Sequence, residues 1–300
     1  MSRLIDSILI PTDDSEGALT GAKHAIALAS RIGADVHVLS VVAVRSDLDE
    51  IAGVVESVYA SLEAEAEDAV ETVADMVRSH DADLEVTTTV KRGTPFQTIR
   101  EYATRREIDL IAMGTKGRTG LDRVLLGSVT ENVLRTARTP VLAVPPNADP
   151  TGIDEITFDG FLLPTDGSDG AEIATDWGIA LANRLESMVH TVYSVDTNRV
   201  PQANEPGEIL QALEHSGEDA IDTVRERAVD TGVSVSGAIA TGSPADVILT
   251  AATDRDVDLI VMGTHGRTGI GQWFLGSVTE NVVRQADVPV FCVPVSAESP

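Results

Sequence analysis

The chain is short of cysteine, of positive charge and of long apolar runs, and each shortage closes off a class of protein. Its one cysteine, Cys292, can form neither an internal disulfide nor a zinc cluster. No window of about 18 residues is apolar and uncharged throughout, which excludes a membrane-spanning helix. The opening MSRLIDSILIPTDDSE breaks its apolar run at Asp6 and Pro11, so no signal peptide is read there, and a soluble cytoplasmic protein is expected. Only 22 Lys and Arg stand against 48 Asp and Glu, a net of −26, and only Lys23, Lys91 and Lys116 are lysines. A field of that sign repels phosphate backbones and anionic lipid, which argues against nucleic acid and membrane as partners. A carboxylate-rich, lysine-poor surface suits a salt-loaded cytoplasm, where ions screen self-repulsion; an acidic mesophilic protein is the plainer alternative.

Motifs are missing too. There is no Gly-Lys-Ser/Thr triplet, hence no Walker loop. The stretch Asp166-Gly167-Ser168-Asp169-Gly170 lacks the first glycine of a nucleophile elbow and the acidic twelfth position of a calcium loop. The histidines His24, His37, His80, His190, His215 and His265 form no i, i+4 pair and have no cysteine neighbours, so no metal site is expected.

What is present is a duplication. A composition of 43% hydrophobic and 23% charged residues is globular, and 300 residues suggest two domains at about 150 each. Residues 109–145 and 258–294 align without gaps, and 24 of the 37 positions are identical. The amino ends repeat as ILIPTDDSE (8–16) and FLLPTDGSD (161–169). The expected organisation is domain 1–147, linker 148–156 and domain 157–297, the linker carrying the prolines, glycine and acids of PPNADPTGIDE. In the first half Ile5–Ile10, Val36–Val42, Leu84–Val90, Leu110–Met113 and Val141–Val144 read as strands. Between them 15–32, 49–79, 95–106 and 128–137 carry helical periodicity. The second half matches, with its second helix delayed by Pro201 and Pro206. Strands without polar alternation, separated by helices, predict a doubly wound α/β domain with a parallel sheet, twice.

In such a sheet ligands bind beyond the carboxyl ends of the strands. There the first half places Gly114-Thr115-Lys116-Gly117, nine residues, then Gly127-Ser128 opening a helix; the second repeats it as Gly263, Gly266, Gly276 and Ser277. Glycines with positive φ or close approach would let the amides of Gly127, Ser128 and Val129 face a phosphate at the positive end of a helix. A capping box, Ser128-Val129-Thr130-Glu131 and Ser277-Val278-Thr279-Glu280, also explains the serine and glutamate. Asp13 and Asp166, each ending the first strand of its half, can bond a ribose or adenine edge or cap the next helix.

These residues resemble the universal stress protein family, in its ATP-binding branch, over nearly the whole chain, with the G-2x-G-9x-G-S motif complete twice. The resemblance implies two tandem Rossmann-like domains, each a five-stranded parallel sheet of order 3-2-1-4-5 with helices on both faces. It carries adenine-side contacts to Asp13 and Val41, and to Asp166 and Val195; both valines also read as core. Ribose and phosphate contacts carry to Met113, Gly114, Gly117, Gly127, Ser128 and Val129, and to Met262, Gly263, Gly266, Gly276, Ser277 and Val278. The implied ligand is ATP or AMP, with Mg accompanying the phosphates. The implied role is a nucleotide-binding stress or regulatory protein that changes conformation or partner with its ligand. A slow ATP hydrolase or adenylate-forming enzyme, and a structural pseudo-dimer without ligand, are the alternatives. No base flanked by an orienting partner adjoins the loop and no lysine is shared by both copies, so no catalytic residue is assigned. The resemblance implies that the last strands of the halves pair within the chain, with a further homodimer possible in principle. Lys116, Arg118 and Arg123 along the first loop face His265, Arg267 and Gln272 in the second, so unequal sites are expected unless Lys116 and Arg123 are simply solvated.

Overall fold

A computed structural model of the chain describes residues 4–44, 52–117, 126–196, 206–266, 275–297 and 300. They divide into two compact units, Met1–Ile156 and Thr157–Pro300. The first runs β1 (Ser7–Pro11), α1 (Glu16–Ile32), β2 (Asp35–Ala43), α2 (Ala52–His80), β3 (Val86–Gly93), α3 (Pro95–Arg105), β4 (Leu110–Gly114), α4 (Ser128–Thr136) and β5 (Val141–Val144). The second repeats this as β6 (Gly160–Pro164), α5 (Asp169–Leu185), β7 (Met188–Val195), α6 (Pro206–Ala228), β8 (Val235–Thr241), α7 (Pro244–Asp254), β9 (Leu259–Gly263), α8 (Ser277–Gln285) and β10 (Val290–Val293). All pairs within each unit are parallel, in the orders β3-β2-β1-β4-β5 and β8-β7-β6-β9-β10. This is the doubly wound order 3-2-1-4-5, once per unit.

The strand sequences account for the layering. Ile8, Leu9, Ile10, Leu110, Ile111 and Ala112 are all fully buried, as strands covered on both faces must be. Ile5 is buried yet precedes β1, because the amides of Asp6 and Ser7 go to the Asp109 carboxylate, each at 2.9 Å, rather than to a ladder. Asp258 clamps the amides of Asp159 and Gly160 in the same way, so an aspartate leading the fourth strand pins the first strand of each unit. Strand β3 runs past Val90 because β2 supplies partners for its polar end, Val41 against Lys91 and Val42 against Arg92. Helix α6 starts at Pro206, as the prolines demand.

Helix α1 is capped by Ser15, whose Oγ accepts the Ala18 amide at 3.2 Å, and it ends at Gly33 in the left-handed conformation (φ 74°). It lies so close to the end of β4 that a Cβ on Gly114 would fall 2.0 Å from the Gly17 carbonyl oxygen. In the second unit a Cβ on Gly263 would fall 2.6 Å from the Gly170 carbonyl oxygen. Such separations admit only glycine and set the floor of the cleft described next. Residues 148–156, the expected linker, pack onto α1 of the first unit: Lys23 Nζ reaches Asp149 at 2.8 Å, and His24 Nε2 bonds the Ala148 carbonyl at 2.7 Å.

Candidate functional site

At the carboxyl ends of β1, β2 and β4 in the first unit lies a cleft of about 220 Å³. Asp13, Val41, Met113, Gly114, Gly117, Gly127, Ser128 and Val129, separated by up to 116 positions in sequence, all line it. The structure adds Leu39, Pro95 and Ile99, which with Val41 give the cleft an apolar lining. Sequence reading missed Pro95 and Ile99, although the repeat announces them: Gly93-Thr94-Pro95 to Ile99 answers Gly242-Ser243-Pro244 to Ile248. Among the described lining residues Lys116 alone is cationic and Asp13 alone anionic.

Two local expectations are corrected by the geometry. First, no capping box forms: Gly127 is the N-cap of α4, Ser128 is already helical, and the cap makes no side-chain bond. Thr130 Oγ1 instead donates to the Gly114 carbonyl at 2.8 Å, and Glu131 pairs with Arg135 at 2.7 Å. The Gly127 amide is not open to a ligand either, since it donates to the Thr115 carbonyl at 2.8 Å. The first helical bond runs from Glu131 N–H to the Gly127 carbonyl, so the amides of Ser128, Val129 and Thr130 are the ones that head the helix without an intrahelical acceptor. Second, none of the motif glycines has positive φ. Gly114 serves the helix–strand approach, and a Cβ on Gly127 would lie 3.2 Å from the Thr115 carbonyl oxygen. Only at Gly117 does the missing side chain face the cleft, where the nearest atom to a Cβ would be Asp13 Oδ2 at 3.1 Å.

Asp13 does not cap α1 itself. Its Oδ1 accepts the Ser15 amide (3.2 Å) and hydroxyl (2.5 Å), which aims the capping Ser15 at Ala18 and turns Oδ2 toward Gly117. Asp166 does the same for Ser168 at 3.0 and 2.5 Å, with Oδ2 beside Gly266.

The second unit brings Met262 and Gly263 to the end of β9, and Gly276, Ser277 and Val278 to the start of α8, again with Gly276 N–H bonded to the Thr264 carbonyl at 2.8 Å. Val195 does not belong with them. By register Val41 pairs with Lys91 and Ser194 pairs with Ala240, so the counterpart of Val41 is Ser194. Val195 points to the other face and packs with Tyr193, Ala220 and Ile221, as Val42 packs with Tyr59 and Ala66. The strand period of two explains the slip: one residue changes the face. Arg118, Arg123, Arg267 and Gln272 lie outside the described residues.

The model of the Universal stress protein family matches residues 5–145 and again 157–294. The chain belongs to the universal stress protein family. A universal stress protein of Methanocaldococcus jannaschii is 39% identical over 142 residues, covering 47% of this chain and 82% of its own. One of Mycobacterium tuberculosis is 30% identical over 213 residues, 70% of this chain and 69% of its own. The crystal structure of a universal stress protein from Archaeoglobus fulgidus superposes with a TM-score of 0.70 over 96% of both chains at 22% identity, a likeness of fold. As a family member in tandem form, the chain carries one family domain in each unit. Among the described residues no helix is long and apolar enough to cross a membrane, and no cluster of three His, Cys, Asp or Glu could hold a metal.

Proposed function

We propose that this universal stress protein binds an adenine nucleotide, ATP or AMP, in the first cleft and in its counterpart in the second unit, and acts as a stress-responsive regulator through the bound state. The observation that carries this reading is that one cleft is lined by two kinds of surface. The amides of Ser128, Val129 and Thr130 head α4 with the positive end of its dipole, and Leu39, Val41, Pro95 and Ile99 line the same cleft. One surface suits phosphate oxygens and the other a purine ring. Asp13, whose Oδ2 lies beside Gly117, lines the same cleft and offers an acceptor to a ribose or base edge. Lys116 adds the charge that a triphosphate, with or without Mg, would meet. Nothing among these residues aligns a base with a nucleophile, so occupancy rather than turnover is the proposed output.

Calorimetry with ATP and AMP on nucleotide-stripped protein tests the reading. Gly117→Val and Gly266→Val each push a side chain into one cleft without touching the tight helix–strand contacts. Each should remove one binding event. Two events surviving in both variants would refute the assignment, and ATP consumption by the wild type would shift the proposal toward an enzyme. The last strands complete the proposal. Val141–Val144 and Val290–Val293 end their unit's sheet, and an open sheet edge invites association. Residues 1–156 expressed alone should therefore self-associate, and a stable monomer at high concentration would argue against pairing through these strands.

A further inference from the structure

We propose that His265 is the phosphate-recognising side chain of the second cleft, in the place Lys116 takes in the first, and that polyphosphate binding there follows the charge of its imidazole. The inference rests on the nucleotide reading above and deepens it. Both residues occupy the third position after the fourth strand's methionine, Met113 or Met262. A Cβ on the helix-capping glycine would lie 3.7 Å from Lys116 Cα in the first unit and 3.6 Å from His265 Cα in the second. The backbone is held the same way from behind, with the Lys116 carbonyl oxygen 2.1 Å from a Cβ on Gly17 and the His265 carbonyl oxygen 2.4 Å from one on Gly170. The two side chains thus start from the same point beside the amides of a helix N-terminus.

The ring itself is incompletely used. His265 Nδ1 lies 2.9 Å from Thr264 Oγ1, and Nε2 is buried with no hydrogen-bond partner. When Nδ1–H is given to Thr264, the neutral ring presents a bare lone pair at Nε2, which repels a phosphate oxygen. The protonated ring presents an N–H, which a phosphate accepts as a charge-assisted bond. Ionisable groups also lie on the elements around it. Asp166 and Asp169 lie at the β6–α5 turn, and Glu280 on α8 is already paired with Arg284 at 2.6 Å. The β10 side brings Val293 and Val295 and the Cys292 thiol, which burial pushes up to about 12 and so keeps neutral. The negative charge of a bound phosphate favours the cationic ring. Affinity is then highest at low pH and falls as pH rises through the titration of the complex.

The test is calorimetry on the full chain with ATP and with adenosine, at about pH 6 and about pH 8, the range over which imidazoles change charge. Gly117→Val isolates the second site and Gly266→Val the first, so protonation of ATP itself is read from the first site and subtracted. The second site should gain about two- to fivefold in ATP affinity on acidification beyond the first, with no such gain for adenosine. His265→Lys should make it flat and tight, and His265→Gln flat and weak. NMR of the His265 ring in unsubstituted protein should show its titration moving to higher pH with ATP. Equal pH responses at the two sites, a response that survives His265→Gln, or a ring titration indifferent to ATP would each overturn the proposal. Failure of both ATP and adenosine to bind anywhere would overturn the nucleotide reading and this inference with it.

Discussion

The two units share a backbone plan and differ in charge and in how their helices are tied down. Residues 1–156 hold 15 basic and 26 acidic side chains, a net of −11; residues 157–300 hold 7 and 22, a net of −15. All three lysines are in the first. His24 on α1 bonds the chain that leaves the first unit, whereas its counterpart on α5 is Trp177, stacked toward Phe291 with centroids 6.0 Å apart. Arg78 pairs with Glu71 and Asp75 on its own helix, while Arg227, at the matching position, reaches across to Glu172 and Asp176 on α5. What duplication has kept is what the backbone requires: the clamping aspartates, the glycines of close approach and the amides heading the last helix. Divergence has reached one buried position, His24 against Trp177, and the ties that hold the second helix of each unit.

The largest effect expected from breaking this shared plan is at Gly114. Gly114→Ala forces a Cβ against the Gly17 carbonyl and should cost about 3 kcal/mol or more, by denaturant unfolding, because backbone on both sides must move. Gly117→Ala, whose nearest neighbour is a carboxylate at the end of a side chain, should stay within about 0.5 kcal/mol. Similar costs at the two positions would mean that the cleft floor is not set by backbone approach.

Salt should separate the units next. Raising potassium chloride from dilute buffer to molar concentration should lift the thermal midpoint by about 5 °C or more, since screening relieves repulsion in a chain of net −26. Hydrogen exchange should show the larger gain in 157–300, which has fewer cations to offset its acids. A flat midpoint would return the composition to an ordinary acidic one.

Acid should act in the opposite order. Burial, and next to it a neighbouring arginine, holds His37 and His190 below the usual imidazole range, so both units respond to them alike. Burial also lowers His24, which has no partner in the second unit. A histidine depressed in the folded state stabilises above the unfolded value near 6.5, and that contribution is lost as pH falls toward the folded value. The first unit should therefore lose stability more steeply below about pH 6.5, with His24 adding at most the one-proton slope of about 1.4 kcal/mol per pH unit. His24→Phe should bring the two slopes together.

The smallest effect concerns the arginines. Arg227→Gln should cost about 1 kcal/mol by breaking a two-carboxylate tie between helices, and Arg78→Gln should leave the unfolding midpoint where it was. A double-mutant cycle with Glu172 reads the coupling directly.

Periodicity and repetition within the sequence were enough to determine the element order, the parallel sheet and the glycine–serine loop, because burial on both faces leaves uninterrupted Val, Ile and Leu runs and duplication prints them twice. Only the tertiary structure decided which atoms the motif leaves open. That Gly127 spends its amide on Thr115, that Ser128 is not the cap, and that Gly114 exists for α1 are consequences of contacts between segments far apart in sequence. Strand register likewise decided that Ser194, not Val195, stands where Val41 does, since neighbouring residues of a strand face opposite ways and composition does not say which. Pro95 and Ile99 entered the cleft for the same reason: a helix periodicity marks the buried stripe, but the fold alone determines which end of that stripe meets the ends of the strands.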